Sequence, residues 1–163
     1  MTELARIANN STKLTELYPT FRERIRQVIR ELEVRGLKPR IQEAYRSPAD
    51  QLKAFNSGHS KLKVGFHNIT SSGGSPEALA VDLLDNVNPL NAPTSYYLQV
   101  AAAAEAQGLG TGVRWGLAGA LKGAVERAIK GQDWEAPVQV GWDPSHIEPQ
   151  GFTVEEAVKG KRP

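Results

Sequence analysis

Ala78-Leu79-Ala80-Val81-Asp82-Leu83-Leu84 is a short apolar run broken by a single acid. It follows Gly65 to Pro76, a stretch dominated by Gly, Ser, Thr and Asn, which is loop chemistry. A short apolar run entered from such a loop reads as a buried strand. Upstream, Phe21, Ile25, Val28, Ile29 and Leu32 recur at helical spacing. Thr20 with Glu23 three residues on forms a capping-box pattern, so the spacing predicts a helix from Thr20 to Arg35, stopped by Gly36. Lys38 to Tyr45 reads as a weaker strand. Ser47-Pro48-Ala49-Asp50 then supplies an N-cap, a proline at the first helical position and an acid in the first turn, predicting a helix to Ser57 closed by Gly58.

Downstream, Thr94 or Ser95 caps a predicted helix through the Ala101 to Ala104 run to Gln107, with Gly108 as its stop. Gly112 to Gly116 is an expected strand and Leu117 to Lys130 an expected helix. Val138 to Trp142 is an expected strand leading into Asp143-Pro144-Ser145-His146-Ile147-Glu148. With strands clustered in the second half, the expected class is α+β, a small antiparallel sheet with packed helices. No repeat or linker divides the chain, so one domain over residues 1–163 is expected, with no separate wall-binding domain.

Composition removes several kinds of chemistry. The chain has no cysteine, which excludes disulfides, thiol nucleophiles and thiolate-bound zinc. With 20 basic and 18 acidic side chains the net charge is +2, so no strong field selects nucleic acid as a partner. The opening residues show no basic segment ahead of an apolar stretch, and no run approaches ~18 apolar residues. The expectation is synthesis in the cytoplasm without membrane insertion. A substrate outside the inner membrane then requires something else to let the protein out.

The histidines are His59, His67 and His146, and the last two lie near expected strands that also carry acids. A catalytic zinc site needs three protein ligands and one open position, and two histidines with one carboxylate meet that need. His67, Asp82 and His146 form the natural set, with zinc as the expected cofactor seated on the sheet. Asp143 stands three residues before His146, so a carboxylate beside the metal can move protons for the reaction. Pro144 stiffens that segment and Trp142 is placed to screen it. Spacing alone leaves other readings open: both histidines as ordinary hydrogen-bonding residues, Asp82 as the end of a strand, Asp143-Pro144 as a turn start. His59 stays with the ordinary reading.

Three separated blocks, spanning roughly residues 40 to 150, carry a resemblance. Glu43-Ala44-Tyr45-Arg46-Ser47 with Asp50-Gln51 looks like a Tyr-Arg-Ser block ahead of a helix. Phe66-His67-Asn68 with Ala80-Val81-Asp82 matches the two ends of a Ser-x-His-x-x-Gly-x-Ala-x-Asp motif. Trp142-Asp143-Pro144-Ser145-His146-Ile147-Glu148 is similar to an Asp-Pro-x-His-Phe-Glu form. Together they resemble the zinc peptidases that include D-alanyl-D-alanine carboxypeptidases (VanY-like, with a hedgehog-type zinc peptidase fold), the vancomycin-resistance dipeptidase and phage L-alanyl-D-glutamate endolysins.

The resemblance implies a zinc peptidase acting on bacterial peptidoglycan, with His67, Asp82 and His146 as ligands and Asp143 as general base. Arg46 aligns with the family arginine that stabilises the carbonyl oxygen as it becomes negative; its ordinary reading is a surface arginine paired with Glu43 or Asp50. Two departures stand out. Fourteen residues separate His67 from Asp82, a much longer stretch than the motif's, and Gly65 occupies the place of the motif serine. The endolysin form implies a monomer made in the host cytoplasm, acting on the wall after release through a holin-type pore. A carboxypeptidase trimming terminal D-Ala, or a non-catalytic wall-binding module of the same fold, are the alternatives. An iron oxygenase also uses two histidines and a carboxylate, but with its first two ligands close together on one strand, unlike His67 and Asp82.

Overall fold

The computed structural model describes residues 1–163. Helices α1 (Glu3–Thr15) and α2 (Pro19–Val34) precede strand β1 (Pro39–Glu43) and helix α3 (Pro48–Asn56). A single 3-10 turn at Phe66–Asn68 comes before β2 (Val81–Asp85), α4 (Thr94–Ala106), β3 (Leu109–Gly112), α5 (Gly119–Gly131), β4 (Asp143–Pro149) and α6 (Val154–Val158). The strands form one antiparallel sheet in the order β1-β2-β4-β3. This is the α+β architecture that the sequence predicts. No helix is long and apolar enough to cross a membrane.

Helix α2 buries Phe21, Ile25, Val28 and Leu32, a spacing that keeps them on one face. They join Ile41 of β1, Val81 and Leu83 of β2, Ile147 of β4 and Tyr96, Val100, Ala103 and Ala104 of α4 in the main core. A smaller cluster links the other side of α4, through Leu98 and Ala101, to Val125, Ala128 and Ile129 of α5. Along β2 burial alternates, with Val81, Leu83 and Asp85 more covered than Asp82 and Leu84. The sheet therefore has an inner face closed by α2 and α4 and an outer face that carries Asp82.

Several boundaries differ from expectation for identifiable reasons. Helix α2 starts at Pro19, with no side-chain cap at Tyr18, because proline fixes φ for a first turn and has no N–H to orphan. The Thr20 hydroxyl donates to the Pro163 carbonyl (2.9 Å) instead of capping. Ser47 does cap α3, accepting from the Asp50 N–H, and Gly58 follows with φ +76°. Ala78 to Ala80 are buried but lie outside the sheet, where the Ala78 N–H donates to the Glu16 carbonyl and that of Leu79 to the Phe66 carbonyl. Strand β3 ends at Gly112, where a turn begins, so the expected 112–116 strand lies too late. Val138 to Trp142 joins no ladder; Gly141 makes one bond to the Val113 carbonyl (2.7 Å), and the strand is the segment after it.

Helix α1 was not legible, and it runs against the usual pattern. It buries Arg6, Asn10 and Leu14 while Leu4 and Ile7 are 82% and 51% exposed. The polar residues face inward because they serve β1. The Arg6 guanidinium and the Asn10 amide both donate to the Pro39 carbonyl, Asn9 donates to the Ile41 carbonyl, and the Ile41 N–H donates to Asn10 Oδ1 (2.8 Å). Glu3 and Glu33 neutralise the buried Arg6 charge.

Candidate metal centre

Sheet register builds half of the site. Asp82 of β2 and His146 of β4 are direct cross-strand partners, so their side chains leave the same face side by side. His146 Nδ1 lies 3.1 Å from Asp82 Oδ1. Glu148, two residues further along β4, shares that face by strand parity and accepts from His146 Nε2 at 3.0 Å. The hydrogen bond to Glu148 fixes the ring so that Nδ1 points at Asp82.

The loop builds the other half. His67 sits in the 3-10 turn, 6% exposed, with its Nδ1 on the Ala44 carbonyl (2.7 Å) and its Nε2 3.6 Å from Asp82 Oδ1. Backbone bonds hold the turn on both sides. The Arg46 N–H donates to the His67 carbonyl (3.0 Å), the Leu79 N–H to the Phe66 carbonyl (2.9 Å), and the Asn68 amide to the Arg46 carbonyl (2.7 Å). The long stretch of fourteen residues between His67 and Asp82 does not disturb this geometry because it closes on itself. Thr70 pairs with Pro76, the Ser71 N–H donates to the Ser75 carbonyl, and Gly74 takes φ +81° at the tip.

One donor atom each from His67, Asp82 and His146 lies within 4.8 Å of the other two. Both rings are turned by outer acceptors so that one nitrogen faces the group, which is how metal-ligating histidines are held. Two imidazoles and a carboxylate suit a zinc-like cation. Burial opposes ionisation of Asp82, but hydrogen bonds from His146 and His67 outweigh it and hold the carboxyl well below the usual range. Burial likewise opposes charge on His146, yet Asp82 and Glu148 push its pKa up to about 10. Without a cation, then, a proton on His146 partly neutralises two carboxylates.

Asp143 lines the same cavity of about 330 Å³, together with Arg46, Gln51, Trp115 and Trp142. In a regular strand, residues three apart face opposite sides. A bulge solves this: Thr111 pairs with Ile147 but the next residue, Gly112, pairs with Asp143, so the intervening segment of β4 bows out and re-aims the acid. Burial and the nearby Asp82 charge raise the Asp143 pKa above its ordinary value. Arg46 is paired with Glu43, as its ordinary reading has it, and also faces the cavity; Nη1 donates to Gln51 Oε1 (2.9 Å). The Glu43 hydrogen bond raises the Arg46 pKa, so the guanidinium stays charged.

The expected screen, Trp142, is 58% exposed, and Trp115 is the ring that packs against His146, 5.1 Å between centroids with the planes tilted by 43°. His59, read as ordinary, lies at the cavity edge with its Nδ1 on the Ser57 hydroxyl. Glu148, Gln51 and Trp115 were missed as site residues. A signal for Glu148 existed in the His-x-Glu spacing on a strand; none marked Trp115.

No family model matches the chain, and no curated protein matches it. Among solved structures it is similar to the crystal structure of Serratia marcescens L-Ala D-Glu endopeptidase ChiX, with a TM-score of 0.58 and 18% identity over 93% of this chain and 91% of that one. At that identity the likeness is one of fold: this chain carries, over nearly its whole length, the fold of a peptidase.

Proposed function

We propose that the chain is a zinc-dependent endopeptidase of bacterial peptidoglycan that cuts the bond from L-Ala to D-Glu in the stem peptide. The observation that carries the reading is the convergence of His67, Asp82 and His146, each imidazole turned by an outer acceptor, in one cavity with Asp143 and Arg46. The fold likeness to an L-Ala D-Glu endopeptidase supports the choice of substrate. His67 Nε2, an Asp82 oxygen and His146 Nδ1 would hold the cation. When bound, zinc supplies Lewis acidity and an acidified water.

The protein's own residues do the rest. Asp143, its pKa raised by burial, accepts a proton from the attacking water and returns it to the leaving amine. Arg46, fixed by Glu43 and Gln51, balances the negative charge that gathers on the scissile carbonyl oxygen. Trp115 shields one side of His146 from water. The phage-endolysin reading, with release through a host-membrane pore, rests on the Asp-Pro-x-His form of residues 143–146.

Purified protein incubated with isolated peptidoglycan, with chelator and then with zinc restored, tests the reading by mass spectrometry of released fragments. New D-Glu amino termini that vanish with chelator are expected. Asp143→Asn should retain zinc while losing roughly a hundredfold or more in turnover. Release of terminal D-Ala alone would move the protein to the carboxypeptidases, and no release from a zinc-loaded sample would leave a wall-binding module.

A further inference from the structure

Residues 59–62 form one rim of the catalytic cavity, and Lys61 is the cation on that rim. Its placement is built rather than incidental. Gln51, 2% exposed, uses its amide nitrogen to hold both neighbours of Lys61, donating to the Ser60 hydroxyl (2.9 Å) and the Leu62 carbonyl (2.5 Å). The same Gln51 accepts from Arg46, so the rim is tied to the catalytic arginine. Lys61 Nζ rests 5.1 Å from the centroid of the Trp142 ring.

That ring is itself fixed. Trp142 packs against Trp115 with 5.3 Å between centroids and the rings tilted by 42°, and Trp115 packs against His146 in the same tilted way. The Trp142 N–H donates to the Trp115 carbonyl, and the backbone approach beneath tolerates no side chain: a Cβ on Gly141 would lie 2.5 Å from the Trp115 nitrogen. A row of ring contacts thus leads from the candidate metal ligand to a cation that has no carboxylate partner in the protein.

The other fixed cation of the cavity is spent. Arg46 is paired with Glu43 and is assigned to the carbonyl oxygen. The cavity also holds Asp82, Asp143 and Glu148, which repel anions. Yet D-Glu in a stem peptide joins L-Ala through its amine and the next residue through its γ-carboxyl, leaving an α-carboxylate beside the scissile bond. That anion needs a partner in an otherwise acidic site, since an unmatched charge is costly to bring out of water.

We propose that Lys61, seated on Trp142, binds the α-carboxylate of the D-Glu residue next to the scissile bond and thereby selects D-Glu over its amidated form; this rests on the endopeptidase reading above. The test compares two stem peptides, one with D-Glu and one with D-isoglutamine, whose α-carboxamide has the same shape without the charge. Wild-type protein should favour the acid by about twofold to fivefold in kcat/KM, the worth of an exposed charge pair. Lys61→Met should abolish the preference by slowing cleavage of the acid alone, and Lys61→Arg should restore it. Equal cleavage of both peptides by the wild type, or an equal loss on both in Lys61→Met, would overturn the inference while leaving the endopeptidase reading intact. Failure of the zinc-loaded wild type to cut either peptide would overturn both.

Discussion

The two halves of the candidate metal centre reach the same accuracy by different means. Asp82 and His146 are positioned by strand register, and no residue can slip without turning every neighbour to the wrong face. His67 lies in a loop and has no ladder, so its position comes from separate anchors: a ring bond to Ala44, backbone bonds at Phe66 and His67, and the burial of Phe66. A ligand on a sheet inherits its geometry from the fold. A ligand on a loop must be given its own supports, and those supports tolerate sequence changes only outside them.

The largest effects should come from removing a ligand on either side. Asp82→Ala and His67→Ala should each lose bound zinc, read by elemental analysis, and reduce turnover by roughly a thousandfold or more, equivalent to several kcal/mol of transition-state stabilisation. If His67→Ala kept its metal, the loop half would not belong to the centre. Glu148→Gln is a gentler probe of the sheet half. It keeps the ring contact but weakens the acceptor, and zinc affinity measured by competition with a chromogenic chelator should fall about 10- to 100-fold.

Protonation distinguishes the halves further. In metal-free protein, His146 is raised from 6.5 to about 10. Its contribution to stability is complete below the ordinary histidine pKa and is lost as pH rises through about 10. The lowered Asp82 reports the same interaction from the other side, present above the ordinary aspartate pKa and lost as pH falls through the lowered one, so the two are not summed. The melting temperature of chelated protein should therefore fall by a few degrees between about pH 7 and pH 10, and zinc affinity should rise over the same span as the cation displaces the proton. A flat melting profile for chelated protein would remove the charged His146 from the account. The smallest effect belongs to the insertion tip: replacing Ser71–Ser75 by Asn-Gly should leave zinc content unchanged and activity within about twofold, since loop length costs little once the ends are fixed.

The same contrast explains what could be read from the sequence. The Ser47 cap, the glycine stops and the strand around Asp82 obey local rules of capping and apolar patterning, and they were legible; the pairing of Asp82 with His146 was not, because the strand was expected at Val138 to Trp142 and lies at Asp143–Pro149. The orientation of Asp143 was not, because three-residue spacing on a strand points the wrong way until the bulge opposite Thr111 and Gly112 is known. Helix α1 hid for another reason: its inward face carries Arg6 and Asn10 beside Leu14 while Leu4 and Ile7 face out, so its apolar residues do not mark the buried side. Lys61 and Trp115 meet the site only through tertiary packing, which no short motif encodes.

The polar inward face of α1 has a consequence of its own. Strand β1 is an outer strand of the sheet, and its free groups at Pro39 and Ile41 are occupied by side chains of Arg6, Asn9 and Asn10. An uncovered edge is a template on which another chain can add a strand. Loss of the first fifteen residues would thus remove no residue of the candidate metal centre and instead bare that edge to strand addition, which should appear as increased self-association.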